Sequence, residues 1–234
     1  MDKPQLFLIH FAGGNSYSFN FLMPLLQSFQ VIPVELPGRG RRTREALLKD
    51  FNSAAEDIYN QILKKLSSAK FLVYGHSMGA NIALRVVNML EANKKFPVCL
   101  IVSGNPGPHI RDKTLTYQLE KKQFKKTIQS FGGLPDELMQ NEELFDYFEP
   151  ILRADFEIVE TNEMTSEPPV KAPLYAIMGN AEDKVDQISN WAAYTMSGFR
   201  FEILEGGHFF IYKHAVKIAS IINMCYEQSA FVVV

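Results

Sequence analysis

Cysteine, tryptophan and an excess of charge of either sign are all scarce in this chain of 234 residues. It contains two cysteines and one tryptophan. Cys99 lies inside an apolar run at 98–102, which predicts a buried free thiol rather than a disulfide, and hence a reducing compartment. The formal net charge of −2 provides no basic field for phosphate backbones, so we expect no nucleic-acid partner.

Long apolar runs are also missing. The stretch at 6–9 is too short for a signal peptide and no small-residue cleavage site follows it, and the tail at 230–234 is too short to span a bilayer. We therefore expect a cytoplasmic protein with no membrane partner. The length predicts a single domain over 1–234, which we expect to be a monomer.

Short β-type apolar runs alternate with helical patterns along most of the chain. The predicted strands are 6–10, 31–36, 71–74, 99–103, 174–178 and 201–204, and the predicted helices are 52–66, 78–93, 185–197 and 215–226. Nearly continuous apolar runs of this length are typical of strands covered on both faces. The alternation predicts an α/β fold with a mostly parallel, doubly wound sheet.

The alternation stops at about 107–169, where charged helical patterns at 116–131 and 141–160 replace any strand. An insertion after a strand end predicts a helical lid over the carboxyl ends of the strands, where open α/β sheets bind ligands. Ordinary crossover helices are the alternative.

The sequence GHSMG at 75–79 follows a predicted strand and opens a predicted helix. This context is typical of the nucleophile elbow of α/β-hydrolases, in which flanking glycines let a strained serine stand above the sheet. Ser77 is therefore the candidate nucleophile. A glycine-bracketed helix N-cap serine is the alternative reading.

A serine hydroxyl needs a histidine base oriented by a carboxylate. His208, in the GGHFF sequence at 206–210 after the last predicted strand, occupies the position that this fold gives to the base. The other four histidines are interpreted as packing or surface residues: His10, His76, His109 and His214. The loop at 179–186 offers three carboxylates for the acid: Glu182, Asp183 and Asp186.

The tetrahedral intermediate of acyl transfer needs two backbone N–H donors. In this fold one belongs to the residue after the nucleophile, here Met78, and the other to a loop after an early strand. The FAGG sequence at 11–14 has the glycines such a loop needs, with Ala12 as the candidate donor. A plain Gly-Gly turn is the alternative.

Five motifs occur here in one order: FAGG at 11–14, LPGRG at 36–40, GHSMG at 75–79, LRADF at 152–156 and GGHFF at 206–210. As a set they resemble the type II thioesterases that accompany polyketide synthases and non-ribosomal peptide synthetases. The resemblance implies hydrolysis of acyl groups from the phosphopantetheine arm of acyl or peptidyl carrier protein domains. It implies no metal and no cofactor of the enzyme's own, and places Phe156 in the lid near the acyl channel.

The resemblance also bears on the acid, where this chain departs from the family pattern. A count from Gly179 leads to Glu182, whereas a count from the following Lys184-x-Asp186 sequence and from Trp191 leads to Asp183. The spacing to His208 agrees with the second count. We expect Asp183 to complete a Ser77–His208–Asp183 triad.

Three further readings stay open at the level of sequence. A chain-terminating thioesterase of fatty-acid synthesis, or a general esterase, shares these motifs, and a catalytically inactive hydrolase scaffold would differ by loss of a triad residue.

The arginines at 39, 41, 42 and 44 form the densest basic cluster. They could bind an acidic carrier or its phosphate, or form a solvated loop.

Overall fold

Six strands form one sheet in the computed structural model, which describes residues 3–110, 115–133, 136–162 and 167–229. They are β1 Gln5–Ile9, β2 Gln30–Val34, β3 Phe71–His76, β4 Cys99–Ser103, β5 Leu174–Gly179 and β6 Phe199–Leu204. The order is β2-β1-β3-β4-β5-β6 and every pairing is parallel. The predicted doubly wound parallel sheet is confirmed.

Seven α-helices are present among the described residues. They are α1 Phe51–Lys65, α2 Met78–Ala92, α3 Lys121–Phe131, α4 Asp136–Gln140, α5 Glu142–Glu160, α6 Phe210–Lys213 and α7 Ala215–Ser229. The predicted α-helix at 185–197 is instead a 3-10 helix, Val185–Tyr194. Its buried residues are Ile188, Trp191 and Tyr194. Their spacing of three matches the three residues per turn of a 3-10 helix.

The sheet carries one apolar core on each face. Along β1, Phe7 and Ile9 pack in a core with α1 and α2, whereas Leu6 and Leu8 pack in a second core with α7, because successive side chains of a strand point to opposite faces. The inner strands β1, β3, β4 and β5 are buried along their whole length. Pro33 lies in the edge strand β2, where its missing N–H breaks no inner pairing.

The helices α3 to α5 form an insertion between β4 and β5, with a small apolar cluster of their own that includes Phe124, Phe145 and Leu152. The Asn141 side chain caps α5 by accepting from Leu144 N–H at 3.1 Å. Parts of the predicted lid at 111–114, 134–135 and 163–166 lie outside the described residues. The described helices include none with the length and apolar content needed to cross a membrane.

Candidate active site

Ser77 occupies the sharp turn between β3 and α2, with φ of 56° and ψ of −116°. Residues other than glycine rarely adopt a positive φ, and a serine in this conformation is strained. A Cβ at Gly75 would lie 2.1 Å from the Gly79 carbonyl oxygen, and one at Gly79 would lie 2.3 Å from the Ile9 carbonyl oxygen. Only glycine therefore fits on either side, and the serine lies in the elbow geometry that the GHSMG sequence predicts.

The imidazole of His208 lies between a hydroxyl and a carboxylate. Its Nε2 is 2.9 Å from Ser77 Oγ and its Nδ1 is 2.7 Å from Glu182 Oε2. Because a carboxylate can only accept, Nδ1 carries the proton and Nε2 is left to accept from the serine hydroxyl. The second carboxylate oxygen of Glu182 accepts from Gly179 N–H at 2.7 Å, and the side chain is only 6% exposed.

The expectation that Asp183 contacts His208 is wrong. The loop after β5 makes a tight turn in which Glu182 N–H donates to the Gly179 carbonyl at 3.1 Å. This turn directs the third residue after the glycine back toward the imidazole. Asp183, one residue later, is exposed, as is Asp186. The count from Gly179 thus gave the correct position. The sequence supported both counts, and the geometry of this turn decides between them.

Hydrogen bonds between two loops bring Glu182 and His208 together. Asn180 N–H donates to the Leu204 carbonyl at 2.7 Å, and Ala181 N–H donates to the Gly206 carbonyl at 2.9 Å. Asn180 Oδ1 accepts from Gly206 N–H at 2.9 Å. The loops after β5 and β6 are therefore joined directly behind the site.

The four remaining histidines make contacts outside this hydrogen-bonded chain. His76 is fully buried, its Nδ1 lies 2.8 Å from Ser103 Oγ, and its ring centroid lies 5.1 Å from that of His208. Burial, and secondarily the charge of His208, hold the pKa of His76 well below its usual value. His109 contacts the Tyr194 hydroxyl at 3.0 Å and His214 contacts the Glu205 carbonyl at 2.7 Å.

Burial, followed by the Arg39 charge, lowers the pKa of His10 to about 4, so this ring is neutral at physiological pH. Its Nε2 accepts from Leu36 N–H at 3.2 Å and its Nδ1 donates to the Phe11 carbonyl at 2.8 Å. The sequence analysis predicted only a packing or surface role for His10. It did not predict the hydrogen bond from Nδ1 to the Phe11 carbonyl, which fixes the loop after β1.

Ala12 and Met78 both line the cavity beside Ser77. Met78 is the first residue of α2, and the first amides of a helix have no acceptor within it. Residues 11–14 form a turn closed by Gly14 N–H donating to the Phe11 carbonyl at 2.9 Å, with Gly13 at φ of 76°. Gly13 N–H donates to Asp155 Oδ2 at 2.7 Å. Because the Gly13 and Gly14 amides already have acceptors, the Ala12 N–H is the one favoured as an oxyanion donor beside Ser77.

A cavity of about 230 Å³ opens above Ser77 and His208, and residues of the α3 to α5 insertion form much of its wall. Phe156 of α5, which the resemblance places near the acyl channel, lines this cavity and stacks on Phe131 with ring centroids 5.9 Å apart. The Phe131 ring is in turn 6.0 Å from that of His208. The wall is thus largely aromatic and aliphatic near Ser77.

The arginine cluster at 39–44 does not form one free basic surface. Arg39 is buried and paired with Asp155. Arg42 makes ion pairs with Glu45 and Asp57. Arg41 is exposed and lies over the Tyr17 ring at 5.6 Å. Two of the four arginines are therefore held in ion pairs within the chain, and a third lies against a tyrosine ring.

A doubly wound parallel sheet with a serine on the strand-to-helix elbow and a histidine after the last strand defines a serine hydrolase of the α/β-hydrolase fold. The family model of the thioesterase domain matches residues 4–226. The chain therefore belongs to the thioesterase family and is a thioesterase.

Three known proteins are similar to this chain over most of its length. Linear gramicidin dehydrogenase LgrE of Brevibacillus parabrevis is 30% identical over 226 residues, which cover 93% of this chain and 86% of that protein. The medium-chain S-acyl fatty acid synthase thioesterase of Rattus norvegicus is 29% identical, with 97% and 89% covered. The structure of YbtT, a type II thioesterase from the yersiniabactin NRPS/PKS biosynthetic pathway, superposes with a TM-score of 0.87 at 26% identity, with 97% and 94% covered.

The name of the first relative indicates an oxidoreductase, and the other two are thioesterases. The arrangement of Ser77, His208 and Glu182 in this chain is suited to acyl transfer rather than to hydride transfer. The family match and the site geometry thus agree on hydrolysis.

Proposed function

We propose that this chain hydrolyses acyl thioesters from the phosphopantetheine arm of acyl or peptidyl carrier protein domains, removing misprimed or stalled acyl groups from a polyketide or non-ribosomal peptide synthase. The observation that carries the chemistry is the hydrogen-bonded series from Ser77 Oγ through His208 to Glu182 at the base of the cavity. Similarity to the NRPS/PKS-pathway structure YbtT supports the choice of substrate.

In the first half-reaction Ser77 Oγ attacks the thioester carbonyl carbon while His208 Nε2 takes the hydroxyl proton. Glu182 stabilises the imidazolium that forms. The Ala12 and Met78 amides donate to the oxyanion of the tetrahedral intermediate. The carbon–sulfur bond then breaks, and His208 returns its proton to the departing sulfur. The products are an acyl ester on Ser77 and a free pantetheine thiol.

In the second half-reaction a water molecule takes the place of the thiol. His208 removes one water proton as the oxygen attacks the acyl carbon, and the same two amides receive the second oxyanion. Collapse of this intermediate returns the proton to Ser77 Oγ and releases the carboxylic acid. The enzyme is then ready for another acyl group without any added cofactor.

The insertion supports delivery of the substrate by a long arm. Phe131 and Phe156 lie over the serine, so a thioester has to enter beneath the α3 to α5 helices, which we propose act as a lid. A flexible pantetheine arm can do this while its carrier stays outside, and carrier contacts remote from the thioester then contribute to positioning. The two free, buried cysteines favour a reducing, cytoplasmic location for such a partnership.

The experiment is a comparison of kcat/KM for one acyl group presented on a carrier protein and on coenzyme A. We expect the carrier-bound substrate to be preferred and short acyl groups to be tolerated broadly. Equal values would contradict carrier recognition. A strong preference for a long-chain glycerol ester would identify a lipase instead.

The similarity to the rat medium-chain fatty acid synthase thioesterase and the apolar cavity wall favour one second candidate, chain termination in fatty-acid synthesis. A series of carrier-bound acyl groups from acetyl to dodecanoyl separates the two. A maximum of kcat/KM at eight to ten or more carbons, at least about a hundredfold above acetyl, would support the second candidate, because each methylene buried in an apolar pocket contributes about 0.8 kcal/mol.

A further inference from the structure

A buried ion pair connects the turn after β2 with helix α5 of the insertion. Arg39 Nη1 lies 2.5 Å from Asp155 Oδ2 and Arg39 Nη2 lies 2.7 Å from Asp155 Oδ1. The two side chains are 2% and 0% exposed. Burying two charges is costly, and only close, fully hydrogen-bonded geometry offsets that cost. Neither residue belongs to the hydrogen-bonded series around Ser77.

The carboxylate of this pair has a third partner beside the catalytic serine. Asp155 Oδ2 accepts from Gly13 N–H at 2.7 Å, so a residue of α5 holds the amide that directly follows Ala12. The packing is equally close, since a Cβ at Gly13 would lie 2.5 Å from Leu152 Cδ2 of the same helix. Residues 11–14 are thus held against α5 by a hydrogen bond and by contact.

The opposite side of the same turn is also fixed. The Phe11 carbonyl accepts from His10 Nδ1 at 2.8 Å and from Gly14 N–H at 2.9 Å. The Phe11 carbonyl and the Ala12 N–H belong to one planar trans peptide and point in opposite directions. Fixing the carbonyl therefore sets the direction of the Ala12 N–H, and Asp155 limits movement of the next peptide.

From these contacts we propose that Asp155 is a positioning residue for the oxyanion hole, holding the Ala12 amide in place through Gly13 while Arg39 holds the carboxylate. The inference rests on the role of Ala12 given under the proposed function. An oxyanion donor must lie about 2.7–3.1 Å from the oxygen it stabilises. A turn free to shift by about 0.5 Å loses part of that stabilisation in the transition state, with little effect on binding of the ground state.

The test removes both charges together, because removing one would leave the other buried and unpaired. In the Arg39→Met/Asp155→Leu variant the packing volume is roughly kept and the acceptor for Gly13 N–H is lost. We expect a folded protein whose kcat falls about 10- to 100-fold, below the full loss of an oxyanion donor, while KM changes less than about twofold.

The chain offers a matched control in the same turn. Arg42 makes a second two-bonded pair, with Asp57 of α1, at 2.6 and 2.9 Å. The Arg42→Met/Asp57→Leu variant removes a pair of the same chemistry, with side chains 21% and 22% exposed, that has no bond to residues 11–14 among the described contacts. We expect its kcat to stay within about twofold of the wild type.

The readouts separate positioning from a merely structural role. Active sites are titrated with a fluorophosphonate, and kcat per titrated site is measured with an acyl-CoA. Affinity is measured for a trifluoromethyl ketone analogue, whose adduct places an oxyanion in the hole, and for an unreactive thioether analogue. Positioning predicts that ketone affinity falls in parallel with kcat/KM and thioether affinity does not. Unchanged kcat per site, or equal weakening of both analogues, would overturn the inference.

A second variant covers the case in which the double variant does not fold. Arg39→Lys keeps a charge beside Asp155 and loses the two-bonded geometry, so kcat and ketone affinity should both fall about two- to fivefold at constant KM. No change in either would equally overturn the inference. A wild type without carrier preference contradicts only the proposed substrate, because this test uses acyl-CoA throughout.

Discussion

Glu182 Oε2 lies 2.7 Å from His208 Nδ1, and Glu182 Oε1 lies 2.7 Å from the Gly179 amide nitrogen. Both carboxylate oxygens therefore have a donor, and the side chain has one fixed orientation next to the imidazole. Such a carboxylate holds the histidine in the tautomer whose Nε2 can accept the serine proton.

The first prediction follows from this pair. Glu182→Gln should lower kcat about ten-thousandfold, because an amide in this position can stabilise the wrong tautomer and carries no charge to match the imidazolium. Asp183→Asn is the matched control one residue away. Because the Asp183 carboxylate is exposed, we expect the kcat of this variant to stay within about twofold of the wild type. The measurement is steady-state kinetics of both variants on one acyl-CoA. A large loss of kcat in Asp183→Asn together with an active Glu182→Gln would contradict the assignment of Glu182.

The second prediction concerns the nucleophile and its base. Ser77→Ala and His208→Ala should each lower kcat by at least about ten-thousandfold, with losses that do not add in the double variant, since residues of one catalytic unit fail together. Far-ultraviolet circular dichroism controls for folding. A fluorophosphonate should label Ser77, and peptide mass spectrometry that finds the label on another residue of active protein would contradict the mechanism.

The third prediction is a pH dependence of stability that arises from His10. Its folded-state pKa is lowered to about 4, chiefly by burial, so below pH about 6.5 the unfolded chain binds a proton that the folded chain does not. The free energy of unfolding should therefore decline from pH about 6.5 down to about 4, by about 3 kcal/mol in total from this group. The stabilising contribution is fully present above that window.

The measurement is urea unfolding of the wild type and of His10→Asn at several pH values. The charges of Arg39, Asp155 and Glu35 act on His10, and all three residues are kept in the variant. The difference between the two proteins isolates the histidine. The variant should be less stable at pH 7.5 and have a shallower slope below 6.5. Parallel curves would show that His10 takes up its proton equally in both states.

The fourth prediction concerns the cavity wall. Phe156→Ala removes the ring that stacks on Phe131 and enlarges the space above the serine, so kcat/KM for a bulky acyl group relative to acetyl should rise about tenfold. Tyr147→Ala is the control on the same helix, because Tyr147 is 61% exposed and does not line the cavity. An unchanged ratio in Phe156→Ala would place the acyl group elsewhere in the cavity.

The sequence alone determined the features that depend on neighbouring residues. The apolar runs predicted all six strands. The physical reason is plainest for the four inner strands, because strands covered on both faces need continuous apolar residues. Ser77 could be found because its elbow requires glycines two positions away on either side. His208 followed from its place after the last strand.

Only the tertiary structure decided which distant groups meet. A one-residue choice between Glu182 and Asp183 depends on the turn closed at Gly179, and side-chain direction in such a turn reverses within one position. Arg39 and Asp155 are 116 residues apart, and their charges read as an ordinary basic loop and an ordinary helical acid until folding buries them together. Buried polar groups must find partners, and the chain fold alone determines which partners are within reach.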